Sequence, residues 1–209
     1  MVKQMDGRLI DFHVFGLQRS GTTFLEKLLL QNFQCKLSGE HWKHSIERVT
    51  TDCPTFVIFK NPYTWIESIM FREHADLPVT SPEILLPSYI NGGACTLTDD
   101  PVSINPVELA KLYERYFASW KGEHTVVRYE DLLSEDTLKN FIDGVPMERK
   151  TKDIVLPERG FFMSEGYSDD IVPYYLKGKP TMLTDRQLMA VNRCFSEEMF
   201  GLLGYRKIA

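Results

Sequence analysis

Gly16 and Gly21, with four residues between them, bound the stretch Gly16-Leu17-Gln18-Arg19-Ser20-Gly21-Thr22-Thr23-Phe24-Leu25. Before it runs an apolar, strand-like segment, Leu9 to Phe15. After it runs an amphipathic helix pattern through Phe33, with Phe24, Leu25, Leu28, Leu29 and Phe33 on its apolar side. A strand, a tight Gly-bounded loop and a helix start together make a phosphate cradle, because backbone N–H groups and the helix dipole point at the same anion. The spacing is that of a Walker A loop, yet Thr22 stands where that motif has its lysine. The nearest cation is instead Arg19, two residues before the second glycine. Such a loop holds a phosphate and is poorly built for Mg·ATP.

The rest of the chain alternates strands and helices, which implies a parallel sheet covered by helices on both faces. The expected fold is α/β, a P-loop-type three-layer arrangement in one domain over residues 1–209. A short strand is expected near Gln34–Leu37, a helical stretch from about Glu40 to Val49, a buried strand at 55–60 and a helix from Pro62 to about Arg72. Asn105-Pro106-Val107-Glu108 reads as a helix start. Leu109, Leu112, Tyr113, Tyr116, Phe117 and Trp120 then follow at helical spacing, a stripe that belongs in a core. A strand at 124–129 and a helix capped by Ser134 come next. Thr184-Asp185-Arg186-Gln187 is a capping box, opening a helix with Leu188, Val191, Phe195, Met199 and Leu202 on one face.

The strand at 55–60 runs into Lys60-Asn61-Pro62, and Ser68 lies eight residues after the lysine. A cation at the C-terminal end of a strand and a hydroxyl two turns into the next helix can meet at one phosphate, and the C-terminal ends of strands are where open α/β sheets bind ligands. With the glycine loop, this pair of motifs resembles the sulfotransferases that use 3′-phosphoadenosine-5′-phosphosulfate (PAPS) as donor and release adenosine 3′,5′-bisphosphate (PAP). The Arg-Ser-Gly-Thr-Thr wording is closest to the tyrosylprotein and carbohydrate branches. Val126 to Leu133, with Arg128-Tyr129-Glu130-Asp131-Leu132 at its centre, and the closing Gly204-Tyr205 are similar to the family as well. The likeness spans most of residues 9–205. The family has Arg where this chain has Lys60, and lysine lacks the bidentate fork.

The resemblance implies a transfer of the sulfuryl group to an acceptor hydroxyl, on a glycan, a tyrosine or a small molecule. It implies that Gly16, Arg19, Ser20, Gly21, Thr22, Thr23 and Phe24 hold the 5′-phosphosulfate, with Arg19 stabilising the bridging oxygen. Lys60 and Ser68 hold the 3′-phosphate, and Tyr129 and Glu130 tie strand to helix. No metal is required, since PAP is a good leaving group. A base must take the acceptor proton, and the candidates lie in Ser38-Gly39-Glu40-His41-Trp42-Lys43-His44. Glu40, 21 residues past Arg19, matches the branch in which a Glu serves; His41 and His44 are the alternatives. A late loop covers the nucleotide in this family, so Lys177 or Lys179 is expected near the 3′-phosphate. A P-loop nucleoside or sugar kinase is the competing enzyme class, and a non-catalytic nucleotide-binding protein that kept the fold is a third reading.

Composition bounds these readings. Hydrophobic residues are 43% and charged residues 25% of the 209, as in a globular enzyme. The formal charge of −5 argues against a nucleic-acid partner, because no basic excess is there to neutralise phosphates. No run of about 18 apolar residues spans a membrane, and residues 1–6 carry no apolar leader; the expected location is the cytoplasm. Cys35, Cys53, Cys95 and Cys194 are scattered and read as free thiols. Residues 73–105 hold five acidic residues, no Lys or Arg, and Gly92-Gly93. Loops of that length tend to be functional, and this one is expected on the acceptor side, where its acidity disfavours a polyanionic glycan. Residues 157–183 form the second aperiodic segment.

Overall fold

A computed structural model describes residues 9–41, 43–70, 106–122, 124–157, 175–177, 180 and 182–208. Four strands, β1 (Ile10–Phe15), β2 (Cys35–Leu37), β3 (Thr55–Phe59) and β4 (Thr125–Arg128), form one sheet in the order β2-β1-β3-β4. All three pairings are parallel: Ile10 pairs with Cys35, His13 with Thr55, and Phe56 with Thr125. Helices are α1 (Thr22–Asn32), α2 (Pro62–Met70), α3 (Pro106–Trp120), α4 (Glu135–Gly144), α5 (Asp185–Asn192) and α6 (Glu197–Leu203), with a 3₁₀ turn at Tyr129–Leu132.

The side-chain alternation of the strands sorts the interior into two layers. Phe12 and Val14 of β1 and Phe56 and Ile58 of β3 pack with Leu25, Leu28 and Leu29 of α1 and Leu138 and Ile142 of α4. Phe15, Val57 and Phe59 point the other way, into Ile66 and Ile69 of α2, the α3 stripe, and Val191, Met199 and Leu203 of the last two helices. β3 is thus apolar on both faces, which is why it reads as an uninterrupted apolar run. The expected stripe of α3 is core: Leu109, Tyr113, Tyr116, Phe117 and Trp120 are all buried.

Three expectations need correction. Residues 40, 41 and 43–49 do not form a helix; they are turns and irregular chain. Tertiary bonds claim the backbone there: the Ser45 carbonyl accepts from Trp120 Nε1 at 3.1 Å, and Arg48 N–H donates to Ser119 Oγ at 2.9 Å. The last helix is two helices. Thr184 and Gln187 make the reciprocal capping box, but Ser196 accepts from Met199 N–H and starts a new helix, which leaves Leu202 exposed. Ser134 holds the N-cap position of α4 without a side-chain capping bond. The segment 71–105, the cap at Asn105 and Lys179 lie outside the described residues, as does nearly all of 158–181.

Candidate functional site

In the order β2-β1-β3-β4 the chain winds outward from β1 to β2, then crosses to the other side of β1 for β3 and β4. The strand order therefore reverses between β1 and β3, and their C-terminal ends open the crevice where doubly wound sheets take ligands. The loop 16–21 leaves β1 at that point, and Lys60 ends β3 beside it.

The carbonyls of residues 16–19 each meet a donor. Gly16 O accepts from His44 Nδ1 at 2.7 Å, Leu17 O from Ser20 N–H at 3.1 Å and Ser20 Oγ at 2.6 Å. Gln18 O accepts from Trp65 Nε1 at 2.8 Å, and Arg19 O faces Lys60 Nζ at 3.5 Å. With Arg19 at φ +66° and Gly21 at φ +97°, the backbone curls into a nest. No side chain caps α1 at Gly21, so the N–H groups of its first turn lack intrahelical partners. The neighbouring α2 is the opposite case: Asn61 Oδ1 accepts from Tyr63 N–H at 3.1 Å, so that helix start is closed by its own chain.

Both glycines are required by contact. A Cβ at Gly16 would stand 2.5 Å from Ser20 Oγ and 2.6 Å from Ile58 Cγ2. A Cβ at Gly21 would stand 2.4 Å from the Tyr129 ring. Thr22 and Ser20 are buried in the loop floor. Thr23 Oγ1 accepts from Lys43 Nζ at 3.1 Å, and that ammonium also pairs with Glu26 at 2.9 Å. Phe24 is half-buried against the α1 layer. Arg19 is exposed at the mouth.

Lys60 is buried, with Nζ 4.0 Å from the Tyr175 ring centroid and 5.3 Å from that of Tyr129. The two rings meet edge to face at 5.4 Å. The late segment thus reaches the end of β3 through Tyr175, while Lys177, two residues on, is exposed. Ser68 is buried and donates to the carbonyl of Trp65 at 2.8 Å, one turn back in α2. Glu130 ties the architecture together. Its Oε1 accepts from Asn61 N–H at 2.8 Å and its Oε2 from Tyr205 Oη at 2.6 Å. Burial raises this carboxyl above its ordinary range, and the Tyr205 and Asn61 bonds oppose the rise.

The three base candidates separate in space. His44 is bound to the loop backbone, and burial lowers its pKa. Glu40 and His41 are exposed and lie against His13 of β1, with His13 and His41 ring centroids 5.2 Å apart. His13 precedes Gly16 by three residues of extended chain, about 10 Å. Reading the sequence for charge and hydroxyl spacing misses Lys43, Trp65, Tyr129 and Tyr175 as parts of the cradle. Lys43 does carry a signal, being a cation between two base candidates. The Trp65 indole donor and the Tyr175 ring have no local signal, since they arrive from 47 and 115 residues away from their partners, Gln18 and Lys60.

Among the described residues no helix is long and apolar enough to cross a membrane. No protein-family model, no curated protein and no solved structure matches this chain, so what it does is read from its own residues.

Proposed function

We propose that this chain is a P-loop-type sulfotransferase that moves a sulfuryl group from PAPS to an acceptor hydroxyl. The observation that carries the reading is the loop 16–21. It is a nest whose carbonyls are tied up by neighbouring donors, opening on an uncapped helix at the switch point of a parallel sheet, with no Walker lysine. Its donor set suits a phosphate or phosphosulfate and lacks the group that an Mg·ATP site needs beside the γ-phosphate.

In this reading the N–H groups of Gly21, Thr22 and Thr23 hold the 5′-phosphate. Arg19 neutralises charge that builds on the bridging oxygen as the S–O bond breaks. Glu40 takes the acceptor proton as the new O–S bond forms, and PAP leaves with the electron pair. Lys60 supplies the cation for the 3′-phosphate. Ser68 joins it only by turning its hydroxyl away from Trp65. Lys177, exposed and two residues past Tyr175, is the described late-loop cation.

The test is a thermal-shift comparison followed by a transfer assay with sulfur-labelled PAPS and a panel of hydroxyl acceptors. PAP raises the melting temperature without Mg²⁺, and Mg·ATP raises it much less. A larger shift from Mg·ATP transfers the assignment to a kinase. Tight PAP binding with no transfer to any phenol, sugar or tyrosyl peptide favours a nucleotide-binding protein without catalysis.

A further inference from the structure

We propose that His13, Glu40 and His41 form a binding site for a zinc-type divalent transition metal. His13 sits on β1 at 3% exposure, and its Nε2 is buried with no hydrogen-bond partner among the described residues. A buried imidazole nitrogen is costly to leave without a partner. The chain leaving β2 brings two further ligand types across it. One ligand atom from each of His13, Glu40 and His41 lies within 4.8 Å of the other two.

Two ligand atoms on a tetrahedral zinc, each about 2.1 Å from the metal, stand about 3.4 Å apart. Glu40 and His41 are exposed side chains on irregular backbone, so rotation about their own bonds closes the difference. Two imidazoles and one carboxylate, with a fourth position open to solvent, is a donor set zinc takes readily. Magnesium and calcium favour all-oxygen sites and are disfavoured by the two nitrogens. Ligation through either ring nitrogen would give the buried His13 ring a partner. Cys53 is the competing ligand nearby. Its thiol lies outside the cluster of ligand atoms formed by His13, Glu40 and His41.

The site does not depend on the transferase reading. Where Glu40 serves as the base, a bound metal engages its carboxylate, and the two uses exclude each other.

The experiment is a titration of untagged, chelator-treated protein with Co²⁺ in the absence of nucleotide, followed by competition with Zn²⁺. One equivalent of Co²⁺ gives the visible bands of a four-coordinate site, and Zn²⁺ abolishes them. His41→Ala and Glu40→Gln, both at exposed positions, each weaken Co²⁺ by roughly 10–100-fold or more. The proposal is overturned by the absence of saturable binding. It is equally overturned by binding that neither variant changes, or by a thiolate-to-cobalt charge-transfer band, which would make a cysteine the ligand.

Discussion

The ammonium of Lys60 stands 4.0 Å from the centre of the Tyr175 ring, joining the end of β3 to a segment 115 residues further along the chain. A desolvated cation over an aromatic face gains about 2 kcal/mol, so this contact orders both partners. Lys60→Ala is expected to weaken PAP by about one to two orders of magnitude, the worth of a charge-assisted bond of roughly 1.5–3 kcal/mol. Turnover at saturating donor should fall much less. Lys60→Arg should retain binding. Isothermal titration with PAP decides it, and unchanged affinity in Lys60→Ala removes the 3′-phosphate from this position.

Arg19 is the one described non-glycine residue with positive φ. Left-handed backbone costs an L-residue about 1–2 kcal/mol. Arg19→Gly should therefore match or exceed the parent in stability against denaturant by up to about that amount. PAP affinity and transfer should both drop, because the guanidinium is gone. A variant that is less stable and binds normally would mean that Arg19 is a structural residue.

Gly21→Ala meets two penalties, φ +97° and a Cβ 2.4 Å from the Tyr129 ring. The strain of about 1–2 kcal/mol adds to overpacking of about 1–3 kcal/mol. Chemical denaturation should show a loss in the range of their sum. In a Tyr129→Ala background the same substitution should cost the backbone strain alone.

His44 donates to the Gly16 carbonyl, and its loss would leave that acceptor unpaired at a cost of about 1–3 kcal/mol. His44→Asn, which can still donate, should lose less than His44→Ala. Burial is the main cause of its lowered pKa, opposed by the Gly16 bond and assisted by the charge of Lys43. The unfolded chain protonates near 6.5 while the folded one stays neutral to lower pH. The unfolded state then binds more protons, so stability falls as pH drops below about 6.5. Melting curves at stepped pH should show a shallower acid slope in His44→Asn than in the parent.

Tyr205→Phe takes the donor from Glu130 Oε2 while Asn61 N–H stays on Oε1. The expected cost is about 1–3 kcal/mol of stability, with PAP affinity unchanged, since the pair supports the end of β3 and touches no ligand.

The strands of the sheet and the glycine-bounded turn after β1 are legible in the sequence because each rests on short-range patterns. The run Phe56–Phe59 is apolar on both faces, and glycines at 16 and 21 are fixed by contacts that admit no Cβ. The failure at 40–49 has a physical source. Lys43, His44 and Ser45 spend backbone or side-chain groups on Gly16 and Trp120, partners that no local window contains. The break between α5 and α6 is hidden for a different reason: apolar spacing continues through Phe195 across the cap at Ser196. Ser68 fits the family spacing, yet helix geometry offers its hydroxyl the carbonyl of Trp65. Spacing fixes where a group sits along the chain and leaves its bonding partner open.

Gly16 is gripped on both sides of its own residue by consecutive neighbours: its N–H donates to Lys43 O at 3.0 Å and its carbonyl accepts from His44. Residues 16–44 are consequently a ring, closed by two bonds, with α1 and β2 strung on it. The glycine loop cannot swing open without unfastening the chain that carries Glu40 and His41, so the two rise and fall as one cooperative unit. Protection of the Gly16 amide against exchange with solvent is then a direct reading of how often that ring comes undone. An anion seated on the loop would then tighten the segment bearing Glu40 and His41 without touching it.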